Sequence, residues 1–404
     1  MTIVNQILKQ MPGVAKPQAK FLSIFFATIL ALRGRVNMRN LSRYCCYCER
    51  TISRQLRREF DFASFNLQAM HCAINPTSTL IAVQDASFIP KSGKHTYGLD
   101  RFFNGCAGRP QRGLEISALA IVDVSANCAY TLAVSQTPPS AASSTQQKEL
   151  TRVDNYLAQV RENRLRLPAQ ISYLVVDGFY AKLKYVDGVR DCDLHLITKL
   201  RCDANLRYLF TGQQNKRGRR RRYDGKVNFQ DLSRFDSVGT VKGEDHLELY
   251  TAVVNHVSLK RDLRVVVVVN RANPKKIRYA VIAATDTQLN ALEIYGLYRA
   301  RFQIEFLFRD AKQFTGLADC QSRNQQALHF HFNAALSTLN LARAETVKAH
   351  SGTDPLVFSM SSWKQRAFNE QMLEMIIDKL ALDQSFVKNH PCYDELRTYG
   401  SIAA

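Results

Sequence analysis

The chain has 404 residues, which at about 150 per domain is enough for two or three units with a core that needs no covalent staples. Fifty-five Lys and Arg against 35 Asp and Glu leave a formal charge of +20, and 46% apolar content excludes a disordered basic tail, so the charge belongs on the surface of a packed protein and a polyanion is the expected partner. The longest apolar run, 21–32, is broken by Ser23 and Thr28 and falls short of the roughly 20 residues of a membrane span; with no signal-peptide pattern, the expectation is a soluble cytoplasmic protein whose ten cysteines are reduced core thiols.

The charge is uneven. Residues 1–75 hold eleven Lys/Arg and three Asp/Glu, 199–226 ten and two, but 352–404 five and seven. The first region reads as helices. Phe21, Leu22, Ile24, Phe25, Ile29 and Leu32 recur near a helical period, Gly34 ends the pattern, and a second short helix runs from about Met38 into Cys45, Cys46 and Cys48. Thr51 then caps a third, 51–60, with Ile52 and Leu56 as core contacts and Arg54, Arg57 and Arg58 exposed. A helix-turn-helix recognition helix has this appearance, and so does an ordinary surface helix. The three cysteines lack the second closely spaced pair of a zinc finger and read as buried thiols.

From Thr79 the texture changes to strands. Residues 80–84 form an apolar run ending in Asp85, and 114–122 and 129–135 flank the turn Ser125-Ala126-Asn127. A Ser/Pro/Ala-rich break covers 137–145, where 144–147 offers a capping box for a helix reaching about Arg161. The run 171–176 ends in Asp177-Gly178 and is followed by a helix and a strand at 195–200; further strands are expected at 247–257, 264–270 and 278–284. Strands mixed with helices in this order form a mixed α/β sheet whose site lies at the strand tips.

One Asp after an apolar strand is most often a turn former. Two in one sheet converge if their strands are neighbours, and such like charges are tolerated only with something positive between them. Hard oxygen donors of this kind suit Mg²⁺ or Mn²⁺.

The most specific signal lies at 298–312. On a helix Tyr298, Arg301, Glu305 and Lys312 fall within an arc of roughly 60°. Leu297, Ala300, Ile304, Leu307, Phe308 and Ala311 occupy the adjoining arc of roughly 100°, so the apolar stripe packs on the sheet while the polar row turns to the strand tips. Glu305 then completes a set of three carboxylates.

Tyr298-x2-Arg301-x3-Glu305-x6-Lys312 resembles the YREK signature of DDE insertion-sequence transposases, and the segments around Asp85 and Asp177 resemble that family's two Asp motifs. Thr285-Asp286 before the signature and Gly316-Leu317 after it also match. The resemblance covers about 80–345. It implies a ribonuclease H-like catalytic domain, cut-and-paste chemistry with two Mg²⁺ ions for which Mn²⁺ substitutes, and Asp85, Asp177 and Glu305 as catalytic metal ligands. Its implied partners are the element's terminal inverted repeats and target DNA, bound as double-stranded DNA, and two element ends call for a homodimer when assembled on paired ends. A β-rich insertion between the second Asp and the Glu is common in that family, and 128 positions separate Asp177 from Glu305 here.

The expected organisation is a helical DNA-binding region over 1–75, the catalytic domain over 76–200 and 287–345, the insertion over 201–286, and a helical region over 346–404. Phosphate contacts are expected from Tyr298, Arg301 and Lys312, from Lys91 and the Gly-interleaved Lys94, His95, Arg101 and Arg109, and from a mobile loop at 216–222 holding Arg217, Arg219, Arg220, Arg221 and Arg222. Two other readings stay open: a nuclease of the same fold that only cleaves, and a non-catalytic DNA-binding protein built on the first helices.

Overall fold

The computed structural model describes residues 2–139, 150–273, 275, 277–350 and 358–402. Five consecutive valines, 265–269, are all buried, and they alternate between two cores, Val266 and Val268 in one and Val265, Val267 and Val269 in the other. Strand side chains point to opposite faces by turns, so this run requires a strand covered on both sides.

The chain opens with α1 (Thr2–Gln10), α2 (Lys16–Ala31), α3 (Met38–Tyr44), α4 (Glu49–Gln55) and α5 (Phe62–His71). Four strands follow, β1 (Leu80–Pro90), β2 (Asp100–Asn104), β3 (Arg109–Asp123) and β4 (Cys128–Gln136), then α6 (Arg152–Asn163), β5 (Tyr173–Val176), α7 (Leu183–Arg190) and β6 (His195–Leu200). Next come β7 (Leu206–Leu209), β8 (Tyr223–Lys226), β9 (Asp236–Val241), β10 (Glu244–His256), β11 (Arg261–Asn270) and β12 (Arg278–Ala284). Helices complete the chain: α8 (Ala291–Ala300), α9 (Gln303–Phe314), α10 (Gln325–Ala349), α11 (Met360–Lys379), α12 (Gln384–Lys388) and α13 (Tyr393–Thr398).

The strands form one mixed sheet in the order β2-β3-β1-β5-β6-β12-β11-β10-β7-β8, with β4 on β3 and β9 on β10. β1 runs antiparallel to β3 and parallel to β5, and β5 parallel to β6, an α/β arrangement consistent with a ribonuclease H-like domain. β12 pairs with β6, so the strands of 201–286 extend this sheet and share its two cores. One face is covered by α8, α9, α10 and the start of α11, the other by α6 and α7.

A third core joins α1–α5 to one side of α10 through Phe25, Phe26, Phe65, Phe330 and Leu341. α10 also closes the open edge of β4. Asn333 exchanges two hydrogen bonds of 3.0 Å with the Val134 backbone, and Asn340, seven residues on, accepts from Thr131 N–H at 3.0 Å and donates to its carbonyl at 2.8 Å. An edge strand otherwise presents unpaired backbone groups, and two carboxamides satisfy them here.

Several expectations need correction. α4 begins at Glu49 with Cys48 as N-cap, so Thr51 is interior to it, and it ends at Gln55, leaving Arg57 and Arg58 in the turn beyond. Cys46 and Cys48 are exposed and Cys45 half-buried, because the cluster lies in the surface turn between α3 and α4; all ten cysteines are free, but only Cys192 and Cys320 are buried. The capping box expected at 144–147 lies outside the described residues. α6 is capped by Thr151, which accepts from Asp154 N–H while the Asp154 carboxylate accepts from Thr151 N–H. No helix among the described residues is long and apolar enough to cross a membrane.

Candidate active site

Ala82 and Val83 of β1 pair in parallel with Leu174 and Val175 of β5. Two residues further along both strands, Asp85 comes level with Asp177. β5 stops at Val176, so Asp177 is the first residue past its strand, as expected. Asp85 is not at a tip: β3 is fifteen residues long and keeps pairing β1 to Pro90, which leaves Asp85 in mid-strand opposite Ala118. The pleat sets its direction. Ile81 and Val83 face the core under α8 and α9, so Asp85 shares that face, while Gln84 turns to the opposite core.

Asp177 caps a short 3-10 turn, Gly178–Tyr180, accepting from Phe179 N–H at 2.9 Å, and its carbonyl accepts from the Thr198 hydroxyl at 2.7 Å. The turn is tight against β6: a Cβ at Gly178 would lie 3.0 Å from the Lys199 carbonyl oxygen.

The helix expected over 298–312 is two helices. α8 ends at Ala300 and α9 starts at Gln303, with hydrogen bonds three residues apart, Phe302 N–H to Arg299 and Glu305 N–H to Phe302, across the joint. Arg301 and Phe302 keep right-handed helical dihedrals, so the polar row survives the tightening. Leu297, Ala300, Ile304, Leu307, Phe308 and Ala311 are all buried in the core above the sheet.

Arg301 joins the acids. Its Nη2 donates to Glu305 Oε1 at 2.9 Å, and its Nη1 stands 3.5 Å from Asp85 Oδ2, with the Arg301 side chain only 12% exposed. The Tyr298 ring lies 5.8 Å from the guanidinium. Burial pushes the Asp85 carboxyl up to about 6 against the pull of Arg301, and the charges of Asp177 and Glu305 push the same way. Burial opposes the charge on Arg301, but Asp85, Tyr298 and Glu305 outweigh it and raise its pKa. Burial likewise raises Tyr298, and holds the fully buried Tyr180 well above the usual phenol range, with Asp85 adding to the effect.

Among the described residues no group of three or more His, Cys, Asp or Glu side chains is gathered as it stands to hold a metal ion. The donor chemistry nevertheless fits a hard divalent cation: the β1–β5 register sets Asp85 level with Asp177, and Arg301 ties Asp85 to Glu305. Tyr180 Oη and Arg301 Nε, both buried here, also lack hydrogen-bond partners, as a site built for a further polar occupant leaves them. Arg301 is the positive charge that the like-charged acids require.

Tyr298, Arg301 and Glu305 thus come together with Asp85 and Asp177. Lys312 lies two turns along α9, where burial lowers its pKa, at a different concavity. Lys91 is half-buried and donates to the Cys320 carbonyl, whereas Lys94, His95, Arg101 and Arg109 are exposed. Arg54 and Arg57 line a cavity of about 740 Å³ with Arg39 and Arg50, while Arg58 lines another with Glu59 and Asp61. The basic residues at 216–222 are exposed in the connection between β7 and β8, at the sheet edge far from β2. That loop is tied at its far end: Gln214 accepts from Arg221 N–H at 2.9 Å and donates to its carbonyl at 2.7 Å, the Arg221 guanidinium stacks 4.7 Å over Phe210, and the Arg222 carbonyl accepts from Phe210 N–H at 3.0 Å.

Two contributors were not singled out by the sequence. Gln84, fully buried, donates to Gln159 Oε1 at 2.8 Å and to the Tyr156 carbonyl at 2.9 Å, and accepts from Tyr185 Oη, fixing β1 directly beside Asp85. Tyr180 follows Asp177 by three residues, and that proximity was its only signal.

Residues 48–251 match the family model of the DDE superfamily endonucleases, a span that contains Asp85 and Asp177 and stops before Glu305. No curated protein matches the chain.

Proposed function

We propose that this chain, which belongs to the DDE superfamily endonucleases, is a transposase that binds the terminal inverted repeats of its insertion sequence, cuts at the element ends and joins them to target DNA. The observation that supports this reading best is the link through Arg301, which ties Glu305 on α9 to Asp85 on β1 beside Asp177.

Asp85, Asp177 and Glu305 would hold two Mg²⁺ ions, with Mn²⁺ substituting. When bound, such ions supply an activated nucleophile, stabilise the leaving oxygen and neutralise the crowded phosphate. The chain's own groups do the rest. Arg301, fixed by two carboxylates, presents a planar cation to the phosphate, and the Tyr298 ring holds the guanidinium in place. Burial on α9 keeps water from the apolar side of the site. A water or a DNA 3′-hydroxyl is accepted at the same place, so end cleavage and strand transfer are one chemistry with two nucleophiles. Two element ends call for two copies, a homodimer on paired ends.

The test is substitution of each acid. D85N, D177N and E305Q should each abolish metal-dependent cleavage and strand transfer while DNA binding persists, because each removes a ligand's charge with little change of shape. Near-wild-type cleavage by any one of them removes that residue from the ligand set. Hydrolysis of pre-cut ends without joining returns the chain to an endonuclease that only cleaves.

A further inference from the structure

The Arg33-Gly34-Arg35 turn, just past the end of α2, is held in one shape. Gly34 sits at φ +81°, the left-handed region that favours glycine, and the Asn40 carboxamide donates to the Arg33 carbonyl at 2.8 Å and the Arg35 carbonyl at 2.9 Å. Arg33 itself donates to the Gln365 side chain and stacks 4.7 Å over Phe368. Both arginines line a cavity of about 390 Å³ together with Lys312 of α9 and Lys364 of α11.

Lys364 is the buried member. Its ammonium donates to the Ile29 carbonyl at 3.0 Å and the Phe314 carbonyl at 2.8 Å, joining the ends of α2 and α9 to α11 and leaving a third N–H over. Asp319 is the single acid among the lining residues, and its Oδ2 is already taken by Val36 N–H at 2.8 Å. Four cations thus stand around one concavity with one carboxylate to answer them, and two of them, Arg33 and Lys364, are oriented by hydrogen bonds to a carboxamide and to carbonyls. The missing complement is an anion.

We infer that this cavity seats a backbone phosphate of the DNA strand that reaches the catalytic acids. The helix that carries Glu305 also carries Lys312, seven residues on. That places Lys312 about 10 Å further along the axis and within about 20° of the same direction. The seated phosphate therefore belongs to a nucleotide close to the one at Glu305. Arg33 and Arg35 make the seat joint property of the N-terminal helices and the catalytic helix. The inference rests on the transposase reading for what lies at the acids.

The experiment is a salt titration of binding to a random-sequence duplex by the full chain. R33Q/R35Q should flatten the slope of log K against log salt by about 0.9, the value of one phosphate, and K312Q should do the same. Combined, the three substitutions should flatten it no further than one phosphate, because they share one seat. Thermal unfolding of R35Q alone should be unchanged, since Arg35 is exposed and its side chain ties no helix down, whereas R33Q also gives up the Gln365 and Phe368 contacts. Duplex binding by the wild type with an unaltered slope in R33Q/R35Q overturns the seat and leaves the transposase reading standing. A wild-type chain with no affinity for duplex at low salt overturns both.

Discussion

The Arg301 guanidinium stands 3.5 Å from Asp85 Oδ2 and still leaves that carboxyl at about 6. Burial and the neighbouring acids therefore outweigh the ion pair. The consequence is a pH dependence of opposite sign to that of an ordinary salt-bridged Asp. Between about pH 4 and pH 6 the folded chain holds a proton on Asp85 that the unfolded chain has released, so stability falls as pH rises through this window. The shift is worth on the order of 2–3 kcal/mol by pH 7. In the presence of chelator, D85N should lose this dependence, and its melting temperature should gain on the wild type from pH 4 to pH 7. A wild-type margin that grows over the same range overturns the account.

A second prediction concerns the buried carboxamide beside the site. Tyr185 is fully buried and its hydroxyl donates to Gln84 Oε1. Y185F keeps the ring and its packing but leaves that oxygen without a partner, at a cost of about 1–3 kcal/mol. Because Gln84 precedes Asp85 in β1, cleavage should fall along with stability. A denaturant midpoint equal to that of the wild type shows that the oxygen has found another donor.

The parts of the fold visible in the sequence were those that periodicity encodes. β6 and β12 lie where apolar runs placed them, and the stripe from Leu297 to Ala311 is buried as its spacing required. The polar row at 298–312 was legible as one face, but it gave Arg301 as a phosphate contact and did not show that Arg301 lies between Asp85 and Glu305. What stayed hidden depended on partners distant in the chain. Asp85 is in mid-strand because β3 is long, a property of β3 that nothing around Asp85 reveals. Asn333 and Asn340 look like helix-interior polar residues until β4 is set beside them. The two-residue joint at Arg301 breaks no side-chain period, since its dihedrals remain helical, so no pattern marked it. The basic residues were legible as charge, but which of them face a common concavity was not.

That last point yields a third prediction. Arg54 and Arg57 share a cavity with Arg39 and Arg50, whereas Arg58 lines another. If α3 and α4 read DNA, R54Q/R57Q should lose the preference for element ends over random duplex, and R58Q should keep it. Substitution is the right tool because the N-terminal helices share a core with α10, and their removal would expose Phe330 and Leu341. Equal loss of preference in both variants would detach recognition from the shared cavity.

The final prediction concerns the basic residues of the β7–β8 connection. Lys216, Arg217, Arg219, Arg220 and Arg222 are exposed, while Arg221 is engaged with Phe210 and with the Asp224 carboxylate. If the exposed members lie along DNA, each displaces condensed counterions and contributes about −0.9 to the slope of log K against log salt. Replacing those five with Gly and Ser while keeping Arg221 and Gln214 should flatten the slope by several units. Affinity for element ends and for random DNA should drop together, because phosphate contacts position a protein without reading bases. R221S alone should change the slope little, since that guanidinium already has an acid and a ring as partners. An unchanged slope in the fivefold variant would make the segment a solvated loop, and a loss confined to element ends would mean that some of these arginines reach base edges in a groove.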